Sequence, residues 1–212
     1  MKKLMLPLVF AVALVTESAA QDISKIDKNF EPQKIGNIEF CFYNTKNAPF
    51  KVEGLPWRKE GGEFSRLPDG ITKENVSAGV IGLCWHTSGA AVRFSTDSKM
   101  VAVKYMTRGS GDMGHMPRSG SSGFDLYIKD ADGKYSLLKN FHQRNFGEMG
   151  KVPYSEIGAK FGDSKMREFA LYFPRYCGVK DVEIGVLPGA KIDPPKPHKV
   201  PKPIVFYGSS IT

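Results

Sequence analysis

The chain has 212 residues, 41% of them hydrophobic and 25% charged, with a formal net charge of +8. That length supports one well-buried domain and little more. Three cysteines cannot all pair with one another, and with four scattered histidines they show no metal-ligand spacing; the excess positive charge is not interleaved with aromatics along a face, which argues against a nucleic-acid partner.

Residues 1–20 read as a signal peptide. Lys2 and Lys3 form a basic start, residues 4–15 an apolar core, and Ser18, Ala19 and Ala20 a small-residue cleavage site before Gln21. The apolar core is too short to span a bilayer and no later run matches it, so no transmembrane segment is expected. No cysteine follows the core, which argues against a lipid anchor. The expected address is secreted or periplasmic. With Glu17 offsetting one of the two lysines, the mature chain keeps +7, a charge suited to solubility or weak attraction to an acidic surface.

Residues 21–187 are dominated by alternation with a period of two. Val92, Phe94 and Thr96 share a face, as do Val101, Val103 and Tyr105; Phe124, Leu126 and Ile128; Phe169, Leu171 and Phe173; and Val182, Ile184 and Val186. Half-buried antiparallel strands give this pattern. Short strands parted by Gly, Pro, Ser and Asp clusters, with no sustained helical stripe, predict an all-β fold: two sheets packed as a jelly-roll-like β-sandwich. Cys41 and Cys84 sit in apolar, strand-like runs and are read as small buried hydrophobes rather than disulfide partners, the alternative being one disulfide plus one buried thiol among Cys41, Cys84 and Cys177. Trp85, in the same run as Cys84, is assigned to the core, whereas Trp57, between Pro56 and Arg58, is placed on the surface. Tyr127 alternates with Leu126 and Ile128 and therefore faces away from them. Ala131, Asp132 and Gly133 predict a tight hairpin between 124–129 and 135–141; calcium binding at Asp130 and Asp132 is the weaker reading, because the acidic positions end there. Residues 108–122, glycine-rich and without pattern, form a long loop of the kind that often carries function.

From 188 to 203 six prolines alternate with lysines. Proline fixes φ and lacks an N–H, so this stretch is expected to be an extended spacer outside any sheet, marking a domain boundary. Residues 204–212 then run from an apolar strand, Ile204 to Tyr207, into Gly208, Ser209 and Ser210. A serine nucleophile needs that setting, at the carboxyl end of a strand beside a base and beside N–H groups able to hold an oxyanion. An ordinary polar turn fits the same residues.

Met113, Gly114, His115, Met116 and Pro117, followed by Gly123, Phe124, Asp125, Leu126 and Tyr127, give a more specific signal. This Gly-x-Asp-Leu-Tyr block resembles the N-terminal domain that precedes the catalytic domain in one group of SGNH hydrolases, the GDSL-type esterases. Leu55 to Arg58, Leu171 to Tyr176 and Val182 to Ala190 are similar to it too. The resemblance implies a bacterial protein in which 204–212 is the first strand and nucleophile turn of an SGNH hydrolase domain. By the match of Gly208, Ser209, Ser210, Ile211 and Thr212 to Gly-x-Ser-Ile-Thr, Ser210 is the nucleophile and its backbone N–H one oxyanion donor. Ser209 stands where the namesake motif has Asp. Gly162, Asp163 and Ser164 spell that motif literally, but no buried strand precedes them, and they are read as a polar loop. The histidine, the carboxylate and most of the oxyanion hole would come from the downstream catalytic domain, so this chain alone is expected to be inactive. The implied substrate is an acylated glycan or another ester, with no cofactor. The loop carrying His115 and Met116 is expected to border the active-site mouth, against the plainer reading that His115 only hydrogen-bonds within its loop. The alternative function is a carbohydrate-binding or structural module without catalysis, for which Trp57 and Tyr127 are the sugar-contact candidates.

Overall fold

The computed structural model describes residues 31–202 together with 204 and 205. Strands β1 (Gln33–Ile35), β2 (Ile38–Asn44), β3 (Lys51–Glu53), β4 (Ala91–Thr96), β5 (Met100–Thr107), β6 (Phe124–Lys129), β7 (Tyr135–Phe141), β8 (Tyr154–Lys160), β9 (Arg167–Tyr172), β10 (Val179–Val186) and β11 (Ile192–Asp193) carry the fold. Two short helices, α1 (Ala78–Leu83) and α2 (Arg118–Ser121), lie in the loops. One sheet runs β1-β2-β10-β5-β8 and the other β11-β4-β9-β6-β7, with β3 on the outer edge of β4. All pairings are antiparallel. Leaving aside β1, β3 and β11, the orders 2-10-5-8 and 4-9-6-7 are those of a jelly roll, two facing sheets of four strands.

Alternation places the core as expected. Val92 and Phe94, Val101 and Val103, Phe124 and Leu126, Phe169 and Leu171, and Val182, Ile184 and Val186 are all fully buried in one cluster between the sheets. Each such side chain contributes about 1.5–3 kcal/mol over an exposed position. Phe94 stacks on Phe169 at 5.3 Å between centroids, and Phe124 is gripped by Tyr105 at 4.4 Å and Phe173 at 5.5 Å. The 124–129 and 135–141 strands fall where the sequence puts them. The turn between them is closed by Asp130 Oδ1, which accepts from Lys134 N, and by Gly133, whose φ of 88° a side chain would disfavour. The Gly162-Asp163-Ser164 tripeptide is a polar loop between β8 and β9, its aspartate paired with Arg167. No disulfide joins the three cysteines: Cys84 and Cys177 are buried and Cys41 half-buried.

Two expectations are corrected. The run around Cys84 and Trp85 is no strand. It is the end of α1, begun by Ser77, whose hydroxyl accepts from Val80 N, and Trp85 is half-buried in a cleft wall rather than in the core. The proline-rich stretch also does not stay clear of the sheet. Ile192 and Asp193, which retain their N–H groups, pair with Thr96 and Ser95 on β4. Lys191 is tied there on both sides: its carbonyl accepts from Thr96 Oγ1 at 2.6 Å and its N–H donates to Asp97 at 2.8 Å.

Candidate functional site

In an antiparallel sandwich, successive connections alternate between its two ends. Segments 45–90 (apart from β3), 108–123, 142–153 and 173–178 therefore gather at one end, and the short turns 97–99, 130–134 and 161–166 at the other. The long loops are knitted together. Tyr176 N donates to Ser121 O, Arg66 N to Cys84 O and Lys180 Nζ to Gly150 O, while Arg108 pairs with Glu63 at 2.8 Å.

The Gly-x-Asp-Leu-Tyr block forms the entrance to β6. At Gly123 a Cβ would come within 2.4 Å of Ser119 O and 2.8 Å of Asn140 Nδ2, so only glycine lets the 108–123 loop close over β7. Phe124 and Leu126 point into the core. Asp125 points outward and accepts from Asn140 Nδ2 at 2.7 Å, and Tyr127 meets Tyr172 edge-on at 5.4 Å. Tyr127 thus faces away from Leu126 and lines a shallow depression with Tyr172, Tyr135 and Arg175.

Trp57 is 56% exposed, as the sequence suggests. It does not share the Tyr127 depression. It lines a separate cleft of about 530 Å³ that Trp85 also borders. The Arg108 guanidinium lies 3.8 Å from the Trp85 ring centre. Next to Trp85, His86 has its pKa lowered, first by burial and then by nearby Arg66. His115 is exposed in the 108–123 loop and makes no hydrogen bond among the described residues, so the in-loop bonding envisaged for it is absent. Met116 N donates to Met113 O, and the Met116 side chain lies against Gly120. Ser210 lies outside the described residues. Among the described residues no group of three or more His, Cys, Asp or Glu is gathered for a metal, and no helix is long and apolar enough to cross a membrane.

A charged cluster not among the expected site residues sits on the outer side of β4. Arg93, with its side chain only 4% exposed, uses its whole guanidinium. Nη1 donates to Glu53 at 2.8 Å, Nη2 to Glu168 at 2.5 Å and to Lys196 O at 2.8 Å, and Nε to the Tyr135 hydroxyl at 3.2 Å. His198 Nε2 lies 2.7 Å from Arg93 Nη1 and 2.9 Å from Glu53; protonated there it donates to Glu53, and unprotonated it accepts from Arg93. Burial alone would raise the pKa of Glu168, but hydrogen bonds from Arg93, Tyr135 and Lys129 outweigh it and hold the carboxyl below its ordinary value. The Tyr135 hydroxyl is pushed up to about 12 by burial and by Glu168. The linker is therefore a strap. It leaves β10 at the short-turn end and runs antiparallel to β4, past Thr96, Ser95 and Arg93 to Glu53, which pairs opposite Ala91. Its course is toward the long-loop end.

Strand order, the glycine-gated entry to β6 and the loops gathered at one end together define a jelly-roll domain. The family profile GxDLY, described as the N-terminus of Esterase_SGNH_hydro-type, matches residues 40–192, and the chain belongs to that family. Two solved structures share the fold. A protein described as a GDSL-like lipase from Bacteroides ovatus is 23% identical with a TM-score of 0.62, the match covering 74% of this chain and 43% of that one. The salicylyl-acyltransferase SsfX3 from a tetracycline biosynthetic pathway is 16% identical with a TM-score of 0.56, covering 76% and 43%. The chain thus spans less than half the length of either. No curated protein matches it in sequence.

Proposed function

We propose that this chain is the N-terminal, accessory part of an exported SGNH-type ester hydrolase that removes acyl groups, such as acetate, from carbohydrate, with Ser210 as the nucleophile. The observation that carries the reading is the order of parts: a Gly-x-Asp-Leu-Tyr jelly roll, then a strap, then Gly208, Ser209, Ser210, Ile211 and Thr212. Ser210 Oγ attacks the acyl carbon while its own N–H helps hold the oxyanion. The base, its orienting carboxylate and the remaining oxyanion donors belong to the domain that follows, so the 212 residues alone do not hydrolyse esters. The course of the strap supports this arrangement. By His198 it has travelled along β4 toward the long-loop end, and the residues from there to Ser210 can reach at most roughly 40 Å. On this reading the loop bearing His115 and Met116 borders the mouth of the site.

The experiment is acetate release from acetylated xylan and other acetylated oligosaccharides by the longer protein carrying this domain. Ser210→Ala is expected to lower kcat by about 10⁴ or more. Full activity in that variant, or no hydrolysis of any acylated carbohydrate by the unaltered protein, would refute the reading.

A further inference from the structure

Both tryptophans of the chain, far apart in sequence, line one cleft at the long-loop end. Trp57 has no ring or cation stacked on it among the described residues and more than half its surface is open. Trp85 is held rigid from one side: it also lines the neighbouring depression, and Arg108, which stacks on it, belongs to that depression and not to the cleft. The cleft side of the indole is left open. The rest of the lining mixes Leu67, Pro68, Ile71 and Ile81 with charged side chains, whose balance is unusual. Arg58, Lys59, Glu60, Glu63 and Asp69 sum to a small negative excess in a chain whose net charge is +8. Arg58 is committed to Gly62 O and Lys46 O, and Glu63 to Lys46 and Arg108, which leaves Glu60 and the exposed Lys59–Asp69 pair to face a ligand.

From this arrangement we infer that the Trp57–Trp85 cleft binds a neutral oligosaccharide. A pyranose has an apolar C–H face and a hydroxyl rim, which matches indole walls with carboxylate acceptors between them. A polyanion would meet the acidic excess, and a lipid would strip water from carboxylates it cannot pair. The volume lies in the range of small-ligand sites. This inference rests on the carbohydrate part of the function proposed above and adds to it a binding site within this domain, away from Ser210 chemistry.

Both tryptophans of the chain line the cleft, so tryptophan emission excited beyond the tyrosine band reports on it, Trp85 sensing the Arg108 side as well. The 212-residue protein is titrated with xylohexaose, cellohexaose, mannohexaose and chitohexaose up to about 10 mM, a range that captures weak glycan binding. At least one should give a saturating change in emission. Trp57→Ala, with Trp85 left as reporter and the melting temperature unchanged, should weaken that binding by about tenfold or more, while Tyr127→Ala leaves it intact. No saturating response to any of the four sugars would overturn the inference, as would unaltered affinity in Trp57→Ala. Trp57 inaccessible to acrylamide before sugar is added would also overturn it, since another protein surface would then occupy the cleft. Binding without ester hydrolysis in the longer protein would sink the hydrolase reading and leave the cleft standing; hydrolysis without binding would do the reverse.

Discussion

Replacing Arg93 by Met tests whether the buried charge cluster, and the strap it holds, stabilise the domain. Methionine keeps the apolar stem and deletes the guanidinium, so packing is largely preserved. Removing one partner of a buried ion pair costs about 3–5 kcal/mol, because the other charge stays buried. Here Glu168 keeps Lys129 at 3.2 Å and Tyr135 at 2.8 Å, and Glu53 is 29% exposed and can hydrate, which favours the low end. About 3 kcal/mol in a domain of this size lowers the melting temperature by about 6–12 °C, readable by calorimetry. Arg93→Lys, with a charge but no planar fork, should fall between. The same substitution releases Lys196 O and His198, so trypsin should cut faster after Lys191 and Lys199; Lys196 and Lys202 precede proline and are poor sites. A fall of under about 2 °C, with cleavage unchanged, would refute the account of both the cluster and the strap.

Acid should expose the same cluster. The folded pKa of Glu168 lies below its ordinary 4.5, so its contribution is present above that value and lost as pH falls through the depressed one. Melting temperature should drop steeply on that limb, and Glu168→Gln should flatten it; an unchanged limb would count against the cluster. His86, with a folded pKa below 6.5, should add a smaller loss as pH falls under that value, absent in His86→Gln and measurable by the same melts. Gly123→Ala forces a methyl against Ser119 O and Asn140 and should cost about 1–3 kcal/mol in urea denaturation, whereas a neutral effect would mean the loop gives way freely. Cys177 is 2% exposed, its thiol pushed up by burial and donating to Gly109 O at 2.9 Å; it should resist Ellman's reagent until the protein unfolds, and prompt native labelling at Cys177 would contradict its packing.

Strand positions were legible because a period of two in Phe124, Leu126 and Ile128 or Val182, Ile184 and Val186 has one physical cause, a sheet with one buried face. The jelly-roll strand order was not, since alternation says which face is buried and nothing about which neighbour a strand takes. Trp85 was misplaced because an apolar run of four or five residues fits a strand or one helical turn equally well; Ser77 as a cap was the available clue. The strap was read from its prolines, which speak only for themselves. Ile192 and Asp193 keep their N–H groups, and the unfilled outer edge of β4 beyond β3 is a tertiary fact. Arg93 could be placed on the outer face from its position between Val92 and Phe94, but not its burial, which depends on residues a hundred positions later. Of the candidate site, Trp57 was legible as an exposed aromatic, whereas its partnership with Trp85 required the fold. Ser210 is assigned by its motif context alone and lies outside the described residues.

Two strands made late, before only the short β11, occupy the middle of the sheets: β9 between β4 and β6, and β10 between β2 and β5. During vectorial synthesis every earlier strand waits with an open edge, since β2 has only β1 and β4 only β3 until 167–186 emerge. Such late, long-range closure makes for slow acquisition of structure and a sticky nascent chain. A premature stop or a protease cut before Val186 would therefore leave no smaller folded remnant, and the domain is inherited whole or not at all.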